Sequence, residues 1–222
     1  SRWGEGINGD GIAFNGEDSV IRGENEGEYL NGLDAVTVSL WVNAEETGTD
    51  QGIFSTLAPN GQDTHLGMRY DQSGYFGGGE DLIKVSLNTS QGSTQIESSS
   101  DVQSSDWQHL ALAWESGSSL QLYIDGEQAD LSYDQGAIGG EIEAVEQLVL
   151  GQGQKNQDVW EGAMDEFQTF NYALDSEEVS QLATVKQTDE NLLTRWNFDE
   201  GKGDIAYDSR NDNDGFLGKD SR

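Results

Sequence analysis

Aromatic, amide and acidic side chains occur together on three glycine-rich segments, residues 70–77, 88–92 and 151–158, and an indole follows the third segment. An aromatic ring can stack on the apolar face of a sugar ring, while amides and carboxylates hydrogen-bond its hydroxyl groups. These segments therefore predict a carbohydrate-contacting surface with Tyr75 and Trp160 as stacking platforms. The predicted ligand-binding residues are Asp71, Tyr75, Asn156, Asp158 and Trp160.

Three glutamates, Glu141, Glu143 and Glu146, are the sharpest candidates for catalysis. Glycoside hydrolysis uses paired carboxylates. The segment follows two glycines, however, and glutamate is so frequent in this chain that a chance pattern is expected. We therefore favour a solvated acidic turn and predict no catalytic residue.

A second acidic segment, residues 211–215, has the residue types of a calcium loop. An EF-hand needs acidic residues at loop positions one, three and five and a glutamate at position twelve. Placing Asp212 and Asp214 at positions three and five puts Arg210 at position one and Ser221 at position twelve. The EF-hand motif fails, which leaves a looser ion site or an ordinary Asn-Asp-Gly turn as alternatives.

The composition narrows the classes of partner. The 222 residues include 42 acidic and 11 basic side chains, for a formal net charge of −31, which repels nucleic acid and anionic lipid. The chain has no cysteine and two histidines, so disulfides and cysteine-ligated zinc are excluded, while oxygen-ligated calcium is compatible. No apolar run approaches the length of a membrane span, and no signal peptide begins at Ser1. We expect an excised module without membrane insertion.

Short segments of alternating polarity, separated by glycine-rich turns, predict strands. In residues 35–43, Val36, Val38, Leu40 and Val42 share one face, so this strand has a core side. Residues 119–124 repeat the alternation and then meet Asp-Gly, a hairpin turn signal. Further strands are predicted at residues 18–22, 52–57, 66–70, 82–87, 107–114, 147–150 and 163–170.

One helix is predicted, over residues 175–183, because Asp175 can cap it and Glu178 stands three residues later. Many short strands with one late helix predict an all-β fold, an antiparallel two-sheet jelly-roll sandwich with a short C-terminal helix. Tryptophans within strand patterns are expected in its core; they are Trp41, Trp107, Trp114 and Trp196.

Several segments resemble the laminin-G-like modules of the concanavalin-A-like lectin/glucanase jelly-roll superfamily. Residues 9–16 resemble the family's opening "G-x-A-x-F-D-G", and residues 36–42 resemble its strand "F-T-V-S-x-W-V". Residues 106–111 with 122–126 are similar to "W-x-H-V-A … L-Y-V-D-G", and residues 161–174 to "F-x-G-x-I-D-E-V-R-I-Y-N-R-A-L". The resemblance covers about residues 3–184, with order and approximate spacing preserved.

This resemblance implies a structural calcium ion near Asp165. Calcium takes six to eight oxygen ligands, so Asp165 and the early turn at residues 14–18 would together tie the beginning of the chain to its end. The predicted metal ligands are Asn15, Asp18 and Asp165, where Asn15 replaces the family's usual aspartate. The related laminarinase-like glucanases carry "E-x-D-x-x-E" on a bulged strand, and this resemblance implies two carboxylates about 5 Å apart for retaining hydrolysis. Residues 141–146 match the pattern only with Glu143 in place of aspartate.

The segment of residues 192–215 resembles the family's first strand and following loop, yet it comes last in this chain. We therefore divide the chain into a jelly-roll module at residues 1–187 and a displaced first-strand segment at residues 188–222. We favour a return of this segment to the open edge of the same sandwich, because an unpaired edge invites aggregation. The alternative is that it begins a next repeat.

These observations predict a non-catalytic, calcium-stabilised carbohydrate-binding or adhesion module of a large secreted or cell-surface protein. Its expected partners are a cell-surface glycan or polysaccharide and neighbouring modules of the same chain, with no nucleic acid. A structural spacer or protein-interaction module is the alternative, and a glycoside hydrolase of the laminarinase-like type is the third hypothesis.

Overall fold

The computed structural model describes residues 3–17, 20–23, 27–45, 47–58, 64–72, 80–153, 158–184 and 191–218. For residues 20–23 and 64 the backbone alone is described. The elements in chain order are β1 (Trp3–Glu5), β2 (Asp10–Asn15), β3 (Val20–Gly23), a 3₁₀ turn (Glu28–Leu30), β4 (Ala35–Ala44), β5 (Gln51–Leu57), β6 (Thr64–Asp71), β7 (Leu82–Thr89), β8 (Gly92–Ser98), β9 (Gln108–Glu115), β10 (Gln121–Ile124), β11 (Glu127–Gln128), β12 (Leu131–Asp134), β13 (Gln147–Leu150), β14 (Glu161–Phe170), α1 (Ser176–Leu182), β15 (Leu192–Trp196), β16 (Ile205–Ala206) and β17 (Gly215–Gly218).

Two antiparallel sheets form a sandwich, as the alternating segments predict. The first sheet has eight strands in the order β1-β2-β14-β4-β9-β10-β11, with β15 also paired to β14. The second sheet has nine strands in the order β12-β8-β7-β6-β5-β13-β3-β17-β16. No helix among the described residues is long and apolar enough to cross a bilayer.

The core lies between the sheets and follows the predicted alternation. The alternate β4 residues Val36, Val38, Leu40 and Val42 are at most 1 % exposed, and they belong to one large apolar cluster. The opposing sheet contributes a cross-strand row to the same cluster, which comprises Phe54, Met68, Val85 and Ile96. Burial of one face of each sheet is the main stabilisation expected of a sandwich.

The outer face of the first sheet carries a second, smaller apolar cluster beneath α1. Asp175 caps this helix through the backbone N–H groups of Glu177 and Glu178, and Glu178 returns a bond to the Asp175 N–H, as the capping-box prediction requires. The helix buries Val179 and Leu182 against the sheet; the cluster also includes Ala111, Ala113, Tyr123, Phe170, Leu174 and Leu192. One end of this outer face is therefore sealed from water.

The C-terminal segment takes part in both sheets. Strand β15 pairs with the second half of β14, beside the stretch of β14 that pairs with β2. Strand β17 pairs with β3, and β16 pairs with β17. Trp196 and Phe198 are 0 % exposed, and the Trp196 ring stacks on Phe167 at a centroid distance of 5.1 Å. Residues 191–218 thus supply core side chains and strand edges to this sandwich.

Candidate functional site

Two of the predicted ligand-binding residues, Asp71 and Asp158, meet at Arg69 on the outer face of the second sheet. The Arg69 Nη2 donates to Asp71 Oδ2 at 2.5 Å, and its Nη1 donates to Asp158 Oδ2 at 3.4 Å. A third carboxylate, Asp50, lies 3.8 Å from the same Nη2. Three acidic groups therefore surround one planar guanidinium, an arrangement we call the Arg69 cluster.

Strand alternation and two close backbone approaches position this cluster. Tyr70 and Met68 of β6 point into the core, so Arg69 between them points outward. On the neighbouring strand β5, Gly52 faces Arg69 and donates its N–H to the Asp158 carbonyl. A Cβ atom on Gly52 would lie 2.0 Å from the Gly153 nitrogen, so only glycine at position 52 lets Gly153 lie this close to β5.

The cluster is partly accessible to solvent and carries a net charge of −2. The side chains of Arg69, Asp50 and Asp158 are 28 %, 30 % and 22 % exposed, whereas Asp71 is buried beneath them. Burial lowers the pKa of Arg69, but the hydrogen bond and charge of Asp71 outweigh that effect and raise it. Burial also raises the pKa of Asp158, although Arg69 opposes the change. The cluster therefore combines guanidinium donors and carboxylate acceptors at a partly exposed position.

The structure corrects the role of Trp160. Its indole is 1 % exposed and stacks on Tyr70 at a centroid distance of 5.8 Å and an interplanar angle of 20°. The ring belongs to the core cluster between the sheets, so it offers no platform to a ligand. The other predicted platform, Tyr75, lies outside the described residues, as does Asn156.

The predicted metal ligands do not come together around Asp165. Asn15 pairs with Glu161 on β14, four residues from Asp165, which is roughly 13 Å along an extended strand. The exposed Asn15 instead accepts a hydrogen bond from the Glu17 N–H at 3.2 Å. Asp18 lies outside the described residues. The prediction of one site shared by Asn15 and Asp165 is therefore wrong, because the strand register separates them.

Asp165 itself is buried, and both of its oxygens are already engaged in hydrogen bonds within the chain. It is 0 % exposed, and its two oxygens accept backbone N–H groups, Asn8 at 3.1 Å and Glu166 at 2.7 Å. Burial is the largest cause that raises its pKa from 3.8 to about 7. Among the described residues, no group of three or more acidic or histidine side chains has a spacing suited to a metal ion. The residues present here do not fit calcium, and ion binding elsewhere in the chain stays a prediction.

The candidates for catalysis have no catalytic geometry. Residues 141–146 contain no strand, and Ile142 and Val145 anchor the segment while the carboxylates point away from the core. A second pair, Ser39 Oγ and His109 Nε2, lies 2.8 Å apart, but both residues are 1 % exposed. Burial lowers the pKa of His109 to about 4, so this imidazole is neutral and sealed from solvent beside Trp41.

Arg69 and Asp50 are the site residues that the sequence reasoning missed. Arg69 stands on the polar side of a predicted strand in a chain with 11 basic residues against 42 acidic ones. The available signal was a rare basic residue at such a position, two residues before Asp71. The approach of Gly153 and Asp158 to Gly52 on β5 has no local sequence signature.

The comparisons with known proteins agree with this sandwich. The laminin G sequence model, described as "Concanavalin A-like lectin/glucanases superfamily", matches residues 15–180. The chain belongs to the concanavalin A-like lectin/glucanase superfamily. No curated protein sequence matches it at a significant level.

Solved structures show the same concanavalin A-like fold at low sequence identity. The heptameric SAP-like pentraxin of Limulus polyphemus is 17 % identical with a TM-score of 0.65, and the match covers 98 % of each chain. A putative carbohydrate binding protein of Bacteroides ovatus is 16 % identical with a TM-score of 0.66, over 92 % of this chain and 57 % of that one. The CBM40 domain of a Ruminococcus gnavus IT-sialidase, solved with alpha2,3 sialyllactose, is 14 % identical with a TM-score of 0.60, over 79 % and 96 %.

Proposed function

We propose that this chain is a non-catalytic carbohydrate-binding module that holds a neutral glycan at the Arg69 cluster. The observation that carries the proposal is the convergence of Asp71 and Asp158, predicted from the sequence as ligand contacts, on one partly exposed guanidinium. The superfamily and the carbohydrate-binding proteins among its structural neighbours support the ligand class.

The chemistry of the cluster suits sugar hydroxyl groups. The planar guanidinium is oriented by its hydrogen bonds to Asp71 and Asp158 and presents donors in one plane, and the carboxylates beside it accept hydrogen bonds from neighbouring hydroxyls. The cluster's charge of −2 and the chain's net charge of −31 repel an anionic glycan, so a neutral one is favoured. Binding of Kd about 10⁻⁵ to 10⁻³ M per site is expected, because a shallow, solvated surface buries little of a sugar.

We place the module in a large secreted or cell-surface protein, in which neighbouring modules would raise the avidity of weak sites. The proposal includes stabilisation by calcium at a position other than Asp165, since the acidic composition provides many oxygen ligands. Adhesion to a glycan-covered surface is the role that such a module would perform.

An array of neutral glycans, followed by calorimetric titration of the best one, tests the proposal. Arg69→Lys keeps the charge and removes the planar fork, so we expect at least a tenfold loss of affinity. Asp158→Asn should also weaken binding, while Arg210→Lys is the matched control, since Arg210 is exposed and outside the cluster. Melting curves of each variant verify the fold.

Two results would count against the proposal. Affinity that is unchanged in both Arg69→Lys and Asp158→Asn would remove the Arg69 cluster as the binding site. An array without a saturable neutral glycan, in the presence and absence of calcium, would favour the structural spacer, which needs no ligand.

A further inference from the structure

A separate cavity opens on the outer face of the first sheet, on the side of the sandwich opposite the Arg69 cluster. Its volume is about 580 Å³, within the range of small-molecule sites. The floor is formed by strands β4, β14 and β15, and the walls are the turn between β1 and β2 and the end of α1. The lining residues are Ile7, Asn8, Trp41, Glu166, Gln168, Leu182, Ala183, Thr184 and Arg195.

Trp41 gives this cavity an aromatic surface. Its neighbours Leu40 and Val42 point into the core, so Trp41 points outward and is partly exposed, contrary to its predicted core position. The indole contacts the buried ring of His109 at a centroid distance of 5.3 Å, with an interplanar angle of 58°. An indole that is held at its side by a neighbouring ring and is partly exposed can stack against a sugar ring.

The polar groups beside Trp41 are fixed in position. Glu166 accepts a hydrogen bond from Asn8 Nδ2 at 3.0 Å, and its other oxygen accepts from Arg195 Nη2 at 2.8 Å. These contacts hold the carboxylate, the amide and the guanidinium in place. Glu166 and Arg195 are the charged residues of the lining and they neutralise each other, so the cavity suits an uncharged ligand.

Gln168 is the feature that points to a ligand. It is 5 % exposed and lines the cavity, yet its Oε1 has no hydrogen-bond partner among the described residues. Leaving a buried acceptor unpaired is costly, so a rotation of this amide that turns its oxygen toward a hydroxyl group of a bound molecule would be favourable. Gln168 faces Ser39 on one neighbouring strand and Arg195 on the other.

Much of the cavity comes from parts of the chain outside the family match at residues 15–180. Ile7 and Asn8 precede the matched region, while the end of α1 and Arg195 follow it. Arg195 is present because β15 returns to pair with β14. The family match at residues 15–180 therefore does not by itself predict the cavity.

We propose that this cavity is a second carbohydrate site, which binds a neutral sugar unit with Trp41 as the stacking platform and Gln168 as a hydroxyl acceptor. The inference shares only the ligand class with the proposed function, since the two sites use different residues on opposite faces. A module with both sites can hold two glycan chains at once and cross-link them.

Nuclear magnetic resonance of the full chain labelled with ¹⁵N tests this site directly. The six tryptophans give indole N–H signals, and Trp41→Phe assigns the one that belongs to Trp41. The probes are neutral cello-, laminari-, manno-, xylo- and arabino-oligosaccharides, with sialyllactose as the charged comparison. We expect a saturable shift of the Trp41 signal with at least one neutral probe and none with sialyllactose.

Variants then separate the two sites. Gln168→Leu should weaken the titration of the Trp41 signal at least tenfold, whereas Arg69→Lys and the control Tyr207→Ala should leave it within twofold. Tyr207 is 57 % exposed and lies at the far edge of the second sheet. Native mass spectrometry should count two sugars on the native chain and one on Trp41→Ala or Arg69→Lys.

The outcomes are distinguishable. If a neutral probe binds the native chain and Arg69→Lys abolishes that binding, but no neutral probe moves the Trp41 signal, the second site is overturned. The proposed function then stands. If the Trp41 signal moves and Arg69→Lys does not change the number of bound sugars, the cavity is supported as a site. Binding at the Arg69 cluster is then overturned. A shift caused by sialyllactose alone overturns the assignment to neutral sugars.

Discussion

Deletion of residues 188–222 tests whether the C-terminal segment is an integral part of the sandwich. The deletion removes β15, β16 and β17 and exposes the edges of β14 and β3 with which they pair. It also takes away the fully buried rings of Trp196 and Phe198 and leaves Glu166 without the guanidinium of Arg195. We expect the truncated chain to lose cooperative folding.

The magnitude follows from burial. Replacing a fully buried Phe or Trp by alanine costs about 3–5 kcal/mol, so the loss of both rings costs about 6–10 kcal/mol before any strand pairing is considered. Domains are stable by only about 5–15 kcal/mol in total. The deletion therefore removes an amount comparable to the whole free energy of unfolding. Phe198→Ala alone should lower the melting temperature by about 6–20 °C, at about 2–4 °C per kcal/mol for a chain of this size.

Thermal unfolding followed by circular dichroism or calorimetry measures these effects. Tyr207→Ala is the control within the same segment, because its ring is 57 % exposed and its removal should cost about 0.5 kcal/mol or less. A truncated chain that melts cooperatively within a few degrees of the full chain would refute the reasoning. That result would instead assign residues 188–222 to a following repeat.

Three further predictions concern stability. Trp160→Ala should lower the free energy of unfolding by about 3–5 kcal/mol in urea titrations, because the indole is buried in the core. A variant that keeps its stability and loses only glycan binding would contradict this prediction. The pKa of Asp165 is about 7 in the folded chain and 3.8 normally, so the free energy of unfolding should fall by up to about 1.4 kcal/mol per pH unit as pH rises between these values. Asp165→Asn should remove this fall. Parallel pH profiles of the free energy of unfolding for the native chain and the variant would contradict the prediction. Millimolar calcium should raise the melting temperature of chelator-treated protein by several degrees at constant ionic strength, and coincident curves would exclude a structural ion.

Local patterns account for much of the fold. The two-residue alternation in β4 places Val36, Val38 and Leu40 in the core, because successive side chains of any strand point to opposite faces. The α1 capping box is equally local, since Asp175 and Glu178 lie three residues apart in the chain. Such features can be predicted because the atoms that decide them are close in sequence.

The candidate sites depend on contacts between distant residues. Arg69 and Asp158 are 89 residues apart, and a one-residue slip in the pairing of β5 with β6 would turn Arg69 to the other face. Asn15 and Asp165 looked like partners, yet the register of β2 against β14 keeps them four positions apart. Nothing within either segment specifies that register.

Alternation also cannot say whether the outer face of a strand is covered. Thr37 and Trp41 stand on the same outer face of β4, but Thr37 is buried beside the α1 cluster, while Trp41 remains partly exposed in the cavity beyond it. The difference is made by α1, by the turn at Ile7 and Asn8, and by the returning strand β15. The sequence thus determines that β4 has two faces and which residues share each one. Whether an outer residue is sealed or left open to a ligand depends on how distant segments pack, because burial is a property of the assembled chain.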